Sequence, residues 1–314
     1  MITDTQLKEL KILLKKNISY IENQDLSSLC SFRIGGIAPL VIEPENEAEL
    51  LLALSHLEKL EIPYRLLGGG TNLLISDHPD DFVTLRLRGK FKDFIELEEG
   101  KFYIGGAAST TPTFRKISLS SYTGAEFLST IPGWVGGAVV QNAGCYGGEI
   151  FELIESVTYL KSNSIIEEKK EYIQFGYRTT QFLEKKDSII LGIRINLQRG
   201  KEEEIEESLK DKRERRNSSQ PQNKKSAGSI FKNPKELDTE GKPLKSWKLI
   251  EQAGLRGLNR GDALVSPEHC NFIVNTGKAK AKDVDYLICL IKEKVYEFSN
   301  VLLEQEVEYF GTIP

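Results

Sequence analysis

Histidine, cysteine, tryptophan and methionine are scarce in this chain: three, four, two and one among 314 residues. His56, His78 and His269 are too dispersed for a histidine-based metal site, and no metal is expected. Cys30, Cys145, Cys270 and Cys289 form no CxxC pair and no zinc spacing. A chain of this length does not need disulfides for stability, so all four are read as free packing thiols. Basic charge is not in excess either. A net charge of −4 and a pI near 5.7 give no support to nucleic-acid binding or to a general basic membrane patch. No run reaches the ~18 apolar residues of a membrane span. The opening MITDTQLKELKILLKK breaks its leucines with charge, unlike a signal peptide, and a cytoplasmic location without membrane insertion is expected. The standard nucleotide fingerprints are missing too. Leu73 stands where a third glycine would complete GxGxxG after Gly68 and Gly70, and GxxxxGK[ST] occurs nowhere.

What is present is ordinary for a globular protein of two or three domains, with 39% hydrophobic and 28% charged residues. Helical spacing covers residues 5–16, and Asn46 with Glu49 opens a second helix running to about Leu60. RIGGIAPLVIEP reads as strand, glycine turn, strand, and FVTLRLRG as a strand. FIELEEGKFYIGG reads as a hairpin turning at Glu99-Gly100, and TPTFRKISLSS as a helix. Strands follow at SVTYLK and DSIILGIRINLQ. The charged run from Lys201 is helical to about Asn217, with mixed signs that suit a solvated helix face, and it marks the start of a last domain. SWKLIEQAG is a short helix stopped by Gly254. Residues 279–299 form a longer one, with Val284, Leu287, Ile288, Ile291 and Val295 on one face. EQEVEYFGTIP is extended.

Three stretches ask for more than folding. In LLGGGTNLLISD, Gly68, Gly69 and Gly70 each cost backbone entropy, and a turn needs no more than two glycines. Glycines after a strand can expose consecutive N–H groups to phosphate oxygens, with Thr71 and Asn72 adding donors at the rim; a tight turn without ligand is the competing reading. Seven of the 25 residues from 124 to 148 are glycine, yet the segment also carries Phe127, Ile131, Trp134 and Val139. That composition fits backbone folded around a flat apolar object, with Gln141 and Asn142 supplying amides, or else a buried structural loop. Together the two segments suit a large dinucleotide. In SAGSIFKNP, Gly228 puts Ser229 on a permissive turn with Lys232 and Asn233 close behind. No GxSxG elbow surrounds this serine, which disfavours hydrolase chemistry. Arg178 between aromatics in FGYRTTQF and Glu306 in EQEVEYF are further candidates, structural ion pairs being the commoner explanation for such residues.

SFRIGGIAPLVIEP, LLGGGTNLLISD, EFLSTIPGWVGGAVVQNAGCYGGEI, FGYRTTQF, SAGSIFKNP, LIEQAGLRG, VSPEHCNFIVN and LEQEVEYFG, in that order and almost end to end, resemble the UDP-N-acetylenolpyruvoylglucosamine reductase family. Its shorter subtype is indicated, because GYRTTQF leads directly into the strand at DSIILGI. The resemblance implies an α+β fold: a two-part FAD-binding domain of the vanillyl-alcohol oxidase/PCMH type plus a smaller α/β substrate-binding domain. The corresponding boundaries are 1–86 and 87–200 for the two FAD-binding subdomains, 201–303 for the substrate domain, and 304–314 for a strand returning toward the FAD side.

The family's reaction uses NADPH to reduce FAD, and the reduced flavin then reduces an enolpyruvyl sugar nucleotide in peptidoglycan precursor synthesis. By the resemblance, Gly68, Gly69, Gly70, Thr71, Asn72, Ile131, Pro132, Gly133, Gly136, Gly137, Asn142 and Gly144 hold FAD. Tyr177, Lys232, Asn233 and His269 hold the substrate. Arg178 stabilises the enolate formed by hydride addition, Glu306 assists as a protonated hydrogen-bond donor, and Ser229 gives the proton. No histidine lies in either glycine segment, so FAD is expected to bind without a covalent link. A single site serving NADPH and sugar nucleotide in turn needs no Rossmann domain, and a monomer is expected. Two positions depart from the family pattern: Leu29-Cys30 where Asn-Thr is customary, and Trp134 where a small residue is common. Another PCMH-type oxidoreductase should lack SAGSIFKNP and the terminal glutamate strand. A non-catalytic sugar-nucleotide-binding protein should have lost Arg178, Ser229 or Glu306.

Overall fold

The computed structural model describes residues 2–185, 187–238 and 240–313. The chain divides into two compact units, neither of them continuous in sequence. The first comprises Met1–Glu22, Leu40–Gly69 and Phe82–Arg216; the second comprises Asn23–Pro39, Gly70–Asp81 and Asn217–Pro314.

In the first unit the strand Ile37–Glu43, which enters it at Leu40, pairs in parallel with Val83–Leu85, which pairs in parallel with Tyr64–Leu66. Parallel neighbours need a crossover, and the helix Glu47–Lys59 supplies it. Asn46 caps that helix by accepting from the Glu49 amide at 3.0 Å, while Glu49 reaches back to the Glu45 amide at 2.9 Å. Leu50, Ala53, Leu54 and Leu57 recur at helical spacing and are buried with Leu10 and Leu14 of the helix Asp4–Leu14.

The rest of the first unit is built on an antiparallel sheet in the order Ser164–Lys169, Ile154–Lys161, Ser188–Asn196, Lys101–Gly105, Phe94–Glu98. Its central strand carries a bulge: Ile190 faces Tyr159 and Gly192 faces Thr158, leaving Leu191 without a counterpart. The extra residue shifts the side-chain alternation. Ile190, Ile193 and Ile195 join the core under the helix Thr110–Leu119, whereas Ile189 and Leu191 join the core of the parallel strands.

The second unit contains an antiparallel sheet of Asn259–Arg260, Ala263–Val265 and Ile273–Asn275, and the helix Ala281–Ser299. Val284, Leu287, Ile288, Ile291 and Val295 of that helix are fully buried, as their spacing predicts. The extended C-terminal stretch forms the strand Glu308–Phe310, paired in parallel with Leu73–Ile75. No helix among the described residues is long and apolar enough to cross a membrane.

The structure corrects the reading of RIGGIAPLVIEP, where only Ile37–Glu43 is a strand. Gly36 instead donates to the Ser76 carbonyl at 2.9 Å, so close to the backbone that a Cβ there would meet the Asp77 carbonyl oxygen at 2.0 Å. A close approach to residues 76 and 77 replaces the expected strand and glycine turn before it. FVTLRLRG also shortens, to Val83–Leu85, although Arg86 and Arg88 continue to donate to the Ile42 and Pro44 carbonyls at 2.9 Å. The reading of four packing thiols holds for Cys30 and Cys270, which are buried; Cys145 is half-buried and Cys289 exposed.

Candidate active site

Within the first unit the glycine segments meet through bare backbone. A Cβ on Gly69 would stand 2.8 Å from Gly133 Cα and 3.0 Å from the Trp134 amide nitrogen. On Gly136 it would meet the Gly106 carbonyl oxygen at 3.0 Å, and on Gly144 the Gly148 carbonyl oxygen at 2.3 Å. These glycines are required by protein-to-protein approach. Gly68 and Gly137 differ: a Gly68 Cβ has only the Trp134 ring nearby, at 3.9 Å, and a Gly137 Cβ would meet nothing within 4 Å. Gly137 lies exposed on the helix Val135–Val140, with Ile131, Pro132 and Gly133 leading into it.

The helix-breaking cost of an exposed glycine with open space around it makes a paired test. Gly137→Leu is expected to leave the melting temperature of the ligand-free protein unchanged or higher, since glycine within a helix costs about 0.5–1 kcal/mol against other residues. Its flavin affinity should nevertheless fall tenfold or more, on the order of 1.4 kcal/mol. Gly69→Val should lower the melting temperature before any flavin is added. An undiminished flavin affinity in Gly137→Leu, measured by fluorescence titration, would remove Gly137 from the binding surface.

Asn142 is fully buried, and its side chain is committed to protein partners. Its amide nitrogen donates to Glu149 Oε2 at 2.7 Å and to the Gly176 carbonyl at 3.0 Å, and its oxygen accepts from the Phe151 amide at 3.3 Å. It therefore ties the glycine segment to the hairpin Phe175–Gly176 and Thr179–Thr180, whose two connecting residues are Tyr177 and Arg178. Arg178 sits at φ +55° and Asn142 at +44°, left-handed conformations that cost non-glycine residues about 1 kcal/mol each. The Arg178 guanidinium donates through Nη2 to the Gly144 carbonyl and lies over the Tyr177 ring, 5.0 Å from its centroid. The Tyr177 ring and the Gly144 carbonyl both hold this cation.

In the second unit, Gly228 at φ +80° turns the chain into Ser229, with no atom within 4 Å of where its Cβ would be. The next residue, Ile230, accepts from the Glu306 amide at 2.8 Å, and Phe231 bridges to Gln305. SAGSIFKNP and EQEVEYF, 72 or more residues apart in sequence at Lys232 and Glu304, thus run side by side. Asn72 joins them, donating from Nδ2 to the Glu306 carbonyl at 2.9 Å and accepting from the Glu308 amide at 3.0 Å. Gly70 precedes it at φ +64°, its carbonyl accepting from the Ser31 amide at 3.0 Å, and Thr71 lies half-buried between them.

The remaining substrate candidates lie around this pair of segments. Lys232 is ion-paired to Glu304 at 2.5 Å. Asn233 Oδ1 accepts from the Ser246 amide at 3.2 Å, at the start of the helix Ser246–Gln252. His269 accepts at Nδ1 from the Asn271 amide at 3.3 Å, edge-on to Phe272. Burial pushes its pKa below the ordinary histidine value, with Arg256 adding to the effect, so the neutral imidazole is favoured near pH 7.

Two supporting residues escaped the sequence reading. Asn271 holds the serine segment from below: it accepts from the Phe231 amide at 3.0 Å and donates to the Phe231 carbonyl at 2.8 Å. Ser31 donates to the Ser226 carbonyl at 2.8 Å. Asn271 stands two positions after His269, so a polar residue within the apolar run CNFIVN was the available signal. Trp134, the departure from the expected small residue, is accommodated beneath Arg86, whose guanidinium lies 4.8 Å from the ring centroid.

Residues 38–168 match the family model described as an FAD binding domain, and residues 220–310 match that of the UDP-N-acetylenolpyruvoylglucosamine reductase C-terminal domain. The UDP-N-acetylenolpyruvoylglucosamine reductase of Leptospira interrogans serogroup Icterohaemorrhagiae serovar copenhageni is 58% identical, covering 100% of this chain and 99% of that protein. The enzyme of the same name from Clostridioides difficile is 36% identical over 98% of each. The crystal structure of UDP-N-acetylenolpyruvylglucosamine reductase from Thermus caldophilus superposes with a TM-score of 0.78 at 31% identity, covering 94% of this chain and 99% of that one. The chain thus carries an FAD-binding domain and, matched over its whole length, belongs to the UDP-N-acetylenolpyruvoylglucosamine reductase family.

Proposed function

We propose that this chain catalyses the NADPH-dependent reduction of UDP-N-acetylglucosamine enolpyruvate to UDP-N-acetylmuramate, in cytoplasmic peptidoglycan precursor synthesis. The reading rests on one observation above all: the Glu306 amide bonded to the Ile230 carbonyl at 2.8 Å, which sets the terminal glutamate strand against the Gly228-Ser229 turn. The reaction asks for an acid and a hydrogen-bonding carboxyl group in close company. Non-covalent FAD, when bound, supplies the hydride that NADPH provides and the substrate alkene receives.

The residues then divide the work. Hydride addition to the terminal alkene carbon pushes electron density into the adjacent carboxylate. Arg178, a permanent cation with a planar fork, stabilises that charge. Ser229 donates its hydroxyl proton to the neighbouring carbon, which is basic enough in the enolate to take it. Glu306 donates a hydrogen bond to the same enolate. Tyr177, Lys232, Asn233 and His269 hold the sugar nucleotide. Gly68, Gly69, Gly70, Thr71 and Asn72, with Ile131, Pro132, Gly133, Gly136, Gly137 and Gly144, are the FAD-binding set of this reading, and Asn142 braces the second segment through Glu149 and Gly176. The open space at Gly137 and the lack of crowding at Gly68 support that fit.

The division into FAD-binding subdomains 1–86 and 87–200, a substrate domain 201–303 and a returning strand 304–314 belongs to the same proposal. The pairing of Glu308–Phe310 with Leu73–Ile75 supports the returning strand within it. Every role is filled from one chain, so a monomer suffices.

Colour tests the proposal. The purified protein should be yellow, should bleach with NADPH under anaerobic conditions, and should recover its colour when the enolpyruvyl sugar nucleotide is added. Bleaching without recovery would remove the substrate assignment.

A further inference from the structure

The strands Ile37–Glu43, Val83–Leu85 and Tyr64–Leu66 run parallel, so their carboxyl ends lie on one edge of the sheet. Ligands of parallel sheets collect at such edges. Glu43 ends the first strand, Arg86 and Arg88 follow the second, and Gly68 and Gly69 follow the third. Arg88 is satisfied: its Nη2 and Nε lie 2.6 and 2.8 Å from Glu43 Oε1.

Arg86 is not. Its Nε is buried without a hydrogen-bond partner, and Glu43, the carboxylate whose charge acts on it, is engaged by Arg88. Burial, reinforced by repulsion from Arg88, lowers the guanidinium pKa to about 10. The Trp134 face under it offsets part of that cost, as a ring face does for a cation. The same indole borders Gly68, whose Cβ would stand 3.9 Å from its edge. An under-compensated planar cation is therefore held beside the glycine segment on the ligand-collecting edge.

We propose that Arg86, oriented by the Trp134 ring, is a phosphate-binding residue for the FAD diphosphate. This rests on the FAD reading of the first unit and adds to the glycine backbone a permanent charge with a bidentate fork. A guanidinium suits that task because a diphosphate offers paired oxygens at matching spacing.

Deflavinated protein and its Arg86→Gln variant provide the test, by titration with FAD and with riboflavin, which has no phosphate. The variant should bind FAD about 10- to 100-fold more weakly, the worth of a charge-assisted hydrogen bond. Its FAD affinity should also depend less steeply on salt, while riboflavin binding stays within about twofold of the wild type. Arg86→Lys should recover part of the loss. Arg86→Met, which keeps an aliphatic stem over the indole, serves as the second neutral variant should the glutamine variant fail to fold. Equal FAD affinity in variant and wild type, or equal weakening toward FAD and riboflavin, would overturn the proposal. So would a defect confined to NADPH relative to NADH, which would assign Arg86 to the 2′-phosphate. A wild-type protein that takes up no FAD would overturn the functional reading as well.

Discussion

Replacing Ser229 by alanine is expected to leave flavin reduction by NADPH within about threefold of wild type while slowing reoxidation by the enolpyruvyl substrate about 10²- to 10⁴-fold, the usual worth of a positioned proton donor. The two half-reactions separate because hydride transfer from NADPH requires no proton at the substrate carbon. Loss of one hydroxyl from a half-buried side chain after an open turn should disturb folding little. The Ile230 and Phe231 backbone bonds that hold the segment remain, since they involve Glu306 and Asn271 and not the serine side chain. Ser229→Cys, which keeps an acidic hydrogen at nearly the same place, should recover part of the rate. Stopped-flow traces of flavin absorbance in each half-reaction decide the matter. Equal slowing of both halves would show that Ser229 shapes the site and does not donate the proton.

Arg178→Lys is expected to slow the second half-reaction about 10²- to 10³-fold, the cost of losing one preorganised stabiliser of developing negative charge. Charge is conserved in this substitution, so the effect isolates geometry. The wild-type guanidinium is held by the Gly144 carbonyl and the Tyr177 ring, on a backbone at φ +55° that Asn142 secures through Gly176. A lysine ammonium has no plane to stack and no fork, and its flexible stem loses more freedom when fixed. The loss should fall on the rate of the chemical step more than on substrate affinity, because the charge it meets develops only in the transition state. FAD affinity of the oxidised protein should change little. A lysine variant with near-normal reoxidation would limit Arg178 to uniform electrostatic attraction.

Much of this was legible along the chain because its cause is local. The cap at Asn46, the hairpin at Glu99-Gly100, and the buried stripe of the helix Ala281–Ser299 follow from short-range periodicity and turn chemistry. The stop at Gly254 lies at φ +75°, where glycine is favoured. RIGGIAPLVIEP was less legible. Its Gly36 answers to residues 76 and 77, some 40 positions away, which local turn rules cannot see.

The glycine segments teach the same lesson at the site. Their composition announced close backbone approach but not what approaches: for Gly69 it is Gly133, and for Gly144 it is Gly148, while Gly68 only borders the Trp134 ring and Gly137 has open space. Asn142 had the chemistry of a ligand contact, yet its buried amide binds Glu149 and Gly176. Side-chain type shows what a residue can bond; only its neighbours show what it does bond.

The amino-acid sequence by itself determined the helices that begin at Asp4, Glu47, Thr110, Glu202, Ser246 and Ala281, the charged character of the 202–219 helix and the family, and it put forward the serine, arginine and glutamate of the proposed chemistry. Tertiary structure alone decided that residues 23–39 and 70–81 pack with 217–314, that Glu306 meets the Ser229 turn, and that Arg86 rests on Trp134. The physical reason is range. Helix periodicity and turn preference act over a few residues, whereas a backbone bond between Ile230 and Glu306, or a cation over a ring, exists only after distant segments have been brought into register.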